Sequence, residues 1–413
     1  MMKTRMASGR TVSFSRICRQ TAVGLAILAA CSTATYAEKQ YGPGVTDTEI
    51  KIGQTMPYSG PASAYGTIGK VEAAYFRMMN DQGGVNGRKI NFITLDDGYS
   101  PPKTVEQTRR LVEQEEVLLL FQSLGTAHNT AIHKYMNDRK VPQLFVATGA
   151  SKWADPQNYP WTMGWQPNYQ TEARIYAKYL LKNKPDAKIG VLYQNDDYGK
   201  DYLQGLKDGL GDKAARMIVA EASYEVSDPT VDSQIVTLKG SSADTFVNIT
   251  TPKFAALAIR KSYDIGWRPL QFLNNVSTSI GAVLIPAGLD KSVGLITTAY
   301  VKDPTEWKDD PGMKDWEAFM KKYYPEGSLI DGSNEYGYTV AQTLVQVLKQ
   351  CGDDLTRENV MKQAASLKNL ELPLLLPGIK VNTAPANFSP IRAVRLARFD
   401  GKTWVLFGDL LGD

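Results

Sequence analysis

The sequence predicts an α/β protein built from two doubly wound, Rossmann-like lobes. From Glu49 onward, short β-rich runs alternate with helical stretches, and strands such as residues 117–121 are apolar throughout. Apolar strands that alternate with helices are typical of parallel sheets covered by helices on both faces. The alternation comes in two series, and the second starts near Asn168. Two series of this kind predict two sheets.

The first series contains the elements of one lobe. The helix predicted over residues 65–82 has Val71 and Met78 on one apolar face, and the next helix is opened by Pro101. The predicted strands of this series are residues 49–55, 89–95, 117–121 and 142–146. Its predicted helices are residues 65–82, 101–114 and 126–138.

The second series continues the pattern after a segment rich in Pro and Trp, residues 158–167, which we interpret as a connection between lobes. Its predicted helices are residues 168–184, 198–210, 229–239 and 252–265, and its predicted strands are 188–193, 216–222, 245–249 and 270–273. Three more helices are predicted at residues 312–323, 333–350 and 357–368, followed by β-like segments at 391–399 and 403–410. Open parallel sheets bind ligands at the carboxyl ends of their strands, so two facing lobes predict a ligand-binding cleft.

The first 37 residues read as a secretory signal peptide. A basic segment precedes the apolar run 21–30, and small residues follow up to Thr35-Tyr36-Ala37. The apolar run is about ten residues long, whereas a membrane span needs about 20. An alternative is that Leu28-Ala29-Ala30-Cys31, which resembles a bacterial lipobox, places a lipid anchor on Cys31. We therefore expect an exported protein, located in the periplasm, in a free or lipid-anchored form.

The composition outside this leader argues against several classes of protein. The leader holds five basic residues and no acidic one, which leaves 42 basic against 43 acidic residues in the rest of the chain. This balance gives no reason to expect binding to nucleic acid. Beyond the leader, Cys351 is the only cysteine and His128 and His133 are the only histidines, so we expect neither an internal disulfide nor a metal site.

No motif of an enzyme or of a cofactor site stands out. The sequence lacks a G-x-S-x-G elbow, a Walker A loop and a G-x-G-x-x-G fingerprint. The acidic pairs Asp96-Asp97 and Asp196-Asp197 follow predicted strands, where turns and helix caps commonly carry such residues. We therefore expect no catalytic residue and no cofactor. A secreted hydrolase is the less favoured alternative.

Two strand-to-helix loops carry small and hydroxyl-bearing residues. Leu124-Gly125-Thr126 follows a buried strand and starts a helix, and Thr148-Gly149-Ala150-Ser151 follows the next strand. A helix N-terminus presents free amide groups and the positive end of the helix dipole, which suit an anion. Small residues allow a ligand to approach the backbone. Ordinary helix capping is the alternative for either loop alone, but together they favour a carboxylate site.

These loops lie within a chain that resembles a known family. The segments MPYSGPASAYG from Met56, GGVNGRKINFITLDD from Gly83 and YQNDDYGKD from Tyr193 are similar to those of the periplasmic solute-binding proteins of ABC importers. The resemblance is to the group typified by the leucine/isoleucine/valine-binding protein, and it runs from about Glu49 to the C-terminus. It implies the type I periplasmic binding protein fold, with two lobes joined by a three-crossover hinge, and binding of a small carboxylate without catalysis.

The resemblance also implies lobe boundaries. The N-terminal lobe would contain residues 46–166 and about 298–370, and the C-terminal lobe residues 167–297 and about 371–413. Bending near residues 159–167, 294–300 and 370–378 would close the lobes around the solute. A permease in the membrane would then recognise the closed form, and we expect the binding protein to be a monomer.

The resemblance further implies roles for individual residues. In the amino-acid binders, loops that match Gly125-Thr126 and Gly149-Ala150-Ser151 hold the ligand carboxylate. Tyr65 matches an aromatic residue that lines the pocket for the ligand side chain, and Tyr198 matches a tyrosine that closes over the ligand.

The chain departs from the family at one informative position. The amino-acid binders place a glutamate after the strand that matches residues 270–273, where it pairs with the ligand ammonium, but here Asn275 and its neighbours include no acid. A desolvated ammonium without a counter-charge is costly, so we expect a carboxylate without an α-ammonium, such as an aromatic acid. Five aromatic residues could form its pocket: Tyr58, Tyr65, Trp161, Trp165 and Tyr198. The alternative is a branched-chain or related amino acid, with Asp197 or Glu335 supplying the charge from another loop.

Overall fold

The computed structural model describes residues 39–412, together with Met6, Ala7 and Gly9. Apart from those three residues, the predicted signal peptide, residues 1–37, lies outside the described residues, and so does Cys31. In the described part of the chain, no helix combines the length and the apolar character needed to cross a membrane. The segment Gln40–Asp413 is a unit of its own, and the two large sheets belong to it.

The strands and helices follow one another in the alternating order that the sequence predicts. The strands are β1 (Gln40–Tyr41), β2 (Glu49–Met56), β3 (Lys89–Asp96), β4 (Leu119–Phe121), β5 (Gln143–Val146), β6 (Thr162–Gly164), β7 (Ile189–Gln194), β8 (Ile218–Tyr224), β9 (Thr245–Ile249), β10 (Leu270–Leu273), β11 (Ile296–Ala299), β12 (Asp354–Leu355), β13 (Ala393–Phe399) and β14 (Trp404–Gly412). The helices are α1 (Gly66–Asp81), α2 (Pro101–Arg109), α3 (Thr126–Asp138), α4 (Tyr169–Asn183), α5 (Asp197–Leu210), α6 (Ala214–Met217), α7 (Asp232–Gly240), α8 (Pro252–Asp264), α9 (Ile285–Ala287), α10 (Pro311–Tyr323), α11 (Gly332–Cys351) and α12 (Arg357–Ala364). A π-helical turn, Arg110–Gln114, extends α2.

The first sheet has five parallel strands in the order β3-β2-β4-β5-β6. The sheet is doubly wound about β2, because β2 pairs with β3 on one side and with β4 on the other. Strands β4 and β5 are buried along their whole length. This burial explains why their sequences are continuously apolar or nearly so rather than alternating.

The second sheet has seven strands in the order β14-β13-β11-β10-β9-β7-β8. Strands β7 to β11 pair in parallel, whereas β13 and β14 form an antiparallel hairpin at one edge. A separate ribbon of two short strands joins β1 to β12. Two sheets, each wound by helices, confirm the predicted α/β class.

The chain passes between the two sheets three times. It leaves the first sheet after β6, returns after β11 to the helices α10 and α11, which pack on α1, and re-enters the second sheet at β13. The division into two lobes at the residue numbers given above stays a prediction.

Two strands of the large sheets lie where the sequence predicted only connections. Strand β6 falls within the predicted connection 158–167, and β11 falls within the predicted bend 294–300. Their sequences, TMG and ITTA, each hold one large apolar residue and so lack the apolar run that marks equally short strands such as β4 and β10. Their pairing partners, β5 for β6 and β10 and β13 for β11, are supplied by the assembled sheets.

Candidate ligand-binding cleft

A cavity of about 160 Å³ lies where the carboxyl ends of the two sheets meet. An apolar protein cavity of about 150 Å³ accommodates one benzene molecule, so this volume suits a small ligand. The first-sheet side contributes residues that follow β2, β3, β4 and β5, and the second-sheet side contributes residues from α5, from the segments after β9 and β10, and from β11. The aromatic lining consists of Tyr65, Tyr99, Tyr169, Tyr198, Tyr300, Tyr336 and Trp404.

The loop Gly125-Thr126 lines this cavity at the start of α3. Gly125 precedes the helix with a φ of +102°, and a β-carbon at this position would collide with the ring of His128. No side chain in the described part of the chain caps the first amides of α3. The Thr126 hydroxyl lies 2.6 Å from the Thr148 hydroxyl. The amide end of a helix therefore adjoins the cavity, where it suits a carboxylate.

The second predicted loop makes its contacts within the protein and not along the cavity. Gly149, Ala150 and Ser151 do not belong to the cavity lining. Gly149 packs closely against Tyr169, and Ala150 is buried. The Ser151 amide and hydroxyl donate hydrogen bonds to the carboxylate of Asp201 over 2.9 Å and 2.6 Å. The predicted donors are thus already paired with a carboxylate of the protein itself.

Tyr65 and Tyr198 line the cavity from opposite sides. The hydroxyl of Tyr65, which follows β2 of the first sheet, donates a hydrogen bond to the backbone carbonyl of Val276, 3.0 Å away, in the segment after β10 of the second sheet. The hydroxyl of Tyr198 accepts a hydrogen bond from the Asn274 amide at 2.8 Å. The side chain of Tyr65 therefore bridges the two sides of the cleft.

Three of the aromatic residues predicted for the pocket lie elsewhere. The Tyr58 hydroxyl is hydrogen-bonded to the Thr94 hydroxyl at 2.6 Å, and burial raises its pKa above the ordinary value. Trp161 packs against the hydrophobic core. Trp165 is fully buried, and its indole nitrogen donates to the Thr343 hydroxyl at 3.0 Å. All three lie near predicted loops or connections, and that criterion did not distinguish aromatic residues of the core from those that line the cavity.

Asn275 lines the cavity and is oriented by a buried acid that the sequence analysis missed. Its backbone amide and its side-chain amide donate to the Glu172 carboxylate over 2.9 Å and 2.6 Å. Glu172 also accepts hydrogen bonds from the hydroxyls of Tyr176 and Tyr202. Burial, the largest effect, raises the pKa of Glu172 to about 7. A carboxylate on the buried face of α4 was the available signal, because such residues are rarely buried unless paired.

Glu335 is an acid within the cavity wall. It lies in the first turn of α11 and is 1% exposed. Neither of its carboxylate oxygens has a hydrogen-bond partner among the described residues. Burial raises its pKa well above the ordinary value, and the charges of Asp303 and Asp331 act in the same direction. Asp197, the other acid considered as a counter-charge, lies outside the lining and is paired with Lys152 at 2.6 Å.

A family model and a curated relative both assign this chain to the same protein family. The family model described as periplasmic binding protein matches residues 49–403. A Leu/Ile/Val-binding protein homolog 7 from Brucella abortus is 23% identical over 356 residues, which cover 81% of this chain and 85% of the relative.

Solved structures with the same fold include two ABC transporter proteins. A branched-chain amino acid ABC transporter protein from Thermus thermophilus, with bound valine, has a TM-score of 0.80 and 16% identity over 89% of this chain and 98% of its own. A fatty acid ABC transporter substrate-binding protein from Thermomonospora curvata has a TM-score of 0.74 and 22% identity over 91% of this chain and 95% of its own. With the family model matching most of its length, this chain belongs to the periplasmic binding protein family and has the type I fold of that family.

Proposed function

We propose that this chain is the extracytoplasmic solute-binding protein of an ABC importer and captures a branched-chain or related amino acid. The observation that carries the proposal is the cavity at the carboxyl ends of both sheets, across which Tyr65 reaches the carbonyl of Val276. A cavity lined from two sheets can be closed and opened by movement of one sheet relative to the other. Such a site captures and releases a solute without changing it.

The lining suits a small ligand with one polar and one apolar end. The amides at the start of α3, next to Gly125 and Thr126, would hold the ligand carboxylate. Ile68, Leu124 and Ile280 belong to the same lining and offer apolar contact to an aliphatic side chain. Burial of the ligand between these groups supplies affinity, and a ligand that leaves a buried polar group unpaired is disfavoured.

The names of similar proteins support an amino acid as the ligand. The Brucella relative is called a Leu/Ile/Val-binding protein homolog, and the Thermus structure holds valine. The predicted leader supports export to the periplasm, where a permease of the importer would receive the solute. We therefore favour this function over an aromatic acid, the first expectation from the sequence.

An aromatic acid is a second candidate because seven aromatic side chains line the cavity. The Thermomonospora protein of the same fold is named for a fatty acid, a carboxylate without an amine. The two candidates differ in whether the ligand carries an ammonium group, and that difference can be measured directly.

Isothermal titration calorimetry of the purified protein with leucine, isoleucine, valine, benzoate and phenylpropenoate tests the proposal. We expect saturable binding of at least one amino acid with one site per chain. A Thr126→Trp variant, which fills the cavity at the start of α3, should lose that binding. A Thr237→Trp variant, at an exposed site on α7, should keep it. Binding of the aromatic acids alone would favour the second candidate, and failure of the whole panel to bind would contradict both.

A further inference from the structure

The carboxyl group of Glu335 is a buried polar group without a partner in the described structure. Both of its oxygens are almost completely shielded from solvent, and neither accepts a hydrogen bond from another described residue. Buried polar side chains are nearly always hydrogen-bonded, and an unpaired buried carboxylate is costly. Because Glu335 lines the cavity, the missing partner can come from the ligand.

The surroundings of Glu335 define the charge of that partner. Asp303 and Asp331 lie close enough to disfavour its ionisation, so this part of the cleft is electronegative. Lys302 is the one cation among the lining residues that the structure describes, and its ammonium is held by the Asp310 carboxylate at 2.7 Å and the Pro373 carbonyl at 2.8 Å. The protein thus leaves the acid of the cleft without a cation of its own.

One further acceptor of the cavity points to the same class of ligand. The side-chain oxygen of Asn275 is buried and, within the described residues, has no hydrogen-bond partner. The amide nitrogen of Asn275 is held by Glu172, which leaves its oxygen as the free group. An unused acceptor in the same cavity as an unpaired acid suits a group that donates several hydrogen bonds, as an ammonium does.

We propose that Glu335 accepts the ammonium group of the ligand, and that it does so from α11 instead of from the segment after β10. This inference rests on the proposed function and deepens it, because it names the ligand class as a carboxylate that carries a protonated amine. A carboxylate without an amine would leave Glu335 unpaired in the closed cleft. The cleft therefore discriminates against such acids.

Pairs of ligands that differ only by the amine test the inference. The pairs are leucine with 4-methylpentanoate, valine with 3-methylbutanoate and phenylalanine with 3-phenylpropanoate, each titrated calorimetrically into the purified protein. We expect the amine-bearing member of a pair to bind about 30-fold or more tightly than its partner, as is typical of a buried charged hydrogen bond.

Variants of Glu335 test whether this residue causes the preference for the amine-bearing ligand. Glu335→Gln should lower the preference for the amine at least tenfold, and Glu335→Met should bind the amine-free acid more tightly than the wild type does. Glu72→Gln is the matched control, because Glu72 is also a buried acid with one unpartnered oxygen among the described residues but does not line the cavity. This control should keep the wild-type preference.

The outcomes separate the two proposals. Equal affinity of the wild type for both members of a pair, or an unchanged preference in both Glu335 variants, would overturn the role of Glu335 and leave the binding function standing. If neither member of any pair binds, both the proposed function and this inference are wrong.

Discussion

The hydroxyl of Ser151 donates a hydrogen bond to the carboxylate of Asp201 at 2.6 Å, and the Ser151 amide adds a second one at 2.9 Å. Ser151 follows β5 of the first sheet, whereas Asp201 lies on α5, which follows β7 of the second sheet. The Gln170 amide donates to both side chains, at 2.8 Å to Asp201 and at 3.2 Å to Ser151. Asp201 therefore joins the two sides of the cleft outside the cavity, in the manner of a clamp.

Removal of this clamp should weaken ligand binding without any change in the cavity. Asp201→Ala removes the acceptor of three hydrogen bonds. The form in which the two sides of the cleft are in contact should therefore be less populated. Apparent affinity falls with the population of the binding-competent form. We expect the dissociation constant to rise about tenfold, for a loss of roughly 1.4 kcal/mol.

Calorimetry with the tightest ligand of the panel measures this effect. Asp208→Ala is the matched control, because Asp208 lies on the same helix and, within the described residues, its carboxylate accepts a hydrogen bond from Gln204 of that helix. An unchanged affinity in Asp201→Ala would show that the clamp does not stabilise the closed arrangement.

The neighbouring ion pair should contribute much less. The Lys152 ammonium lies 2.6 Å from the Asp197 carboxylate, but the two side chains are 37% and 45% exposed. Exposed pairs are typically worth about 0–1 kcal/mol and are screened by salt. We expect Lys152→Met to raise the dissociation constant less than about fivefold. The difference from the wild type should vanish at high ionic strength, and a difference that persists in salt would contradict this explanation.

Loss of the Tyr65 hydroxyl should weaken closure measurably. Tyr65→Phe keeps the ring but removes the hydrogen bond to the Val276 carbonyl. A net hydrogen bond contributes about 0.5–1.5 kcal/mol, so affinity should fall about two- to tenfold. Tyr193→Phe, a variant of a half-buried tyrosine on β7 outside the cavity lining, should bind like the wild type. Equal affinities of all three proteins would count against a bridging role for Tyr65.

Affinity for an amine-bearing ligand should rise with pH. Burial raises the pKa of Glu335 in the unliganded protein, so its carboxyl is protonated at pH values above the ordinary pKa of 4.5. An ammonium stabilises the ionised form, so binding releases a proton, and affinity increases by up to about tenfold per pH unit below the raised pKa. The charges of Asp303 and Asp331 act on this carboxyl in the same direction as burial, and Lys302, which also lines the cavity, is held by Asp310.

Titrations between pH 5 and pH 7, in buffers of different ionisation enthalpy, measure both the affinity and the proton released. The slope should be smaller in Glu335→Gln, because that side chain cannot titrate. Glu172, which holds Asn275 in the cavity wall and has a pKa of about 7, titrates in the same range, so the difference in slope between the wild type and Glu335→Gln isolates the contribution of Glu335. An affinity that falls as pH rises would mean that protonated Glu335 donates to a ligand carboxylate, which contradicts the ammonium site.

Much of the fold was predictable because its signals are local. The predicted bounds of α3, β9 and β10 agree with the structure, since strand length, helix periodicity and turn residues are read within one segment. The three- and four-residue strands β6 and β11 were missed. Their sequences, TMG and ITTA, each hold one large apolar residue, so they lack the apolar run that marked the equally short β4 and β10. Neighbouring strands hold them in place.

The candidate site was only partly predictable. The structure places Tyr65, Gly125, Thr126, Tyr198 and Asn275 in the cavity wall. It places Tyr58, Gly149, Ala150 and Ser151 outside it. All nine lie near the carboxyl ends of strands or the starts of helices, and from sequence alone these positions look alike.

The sequence by itself determined the class of fold, the order of its elements and the helix start at Gly125-Thr126, because each depends on residues close together in the chain. The tertiary structure decided which groups face the ligand. Ser151 and Asp201 are fifty positions apart, and Glu335 is still further from the loops it faces. The way in which the two sheets meet decides which donor is hydrogen-bonded within the protein and which acid is left unpaired. No local sequence pattern predicts that arrangement.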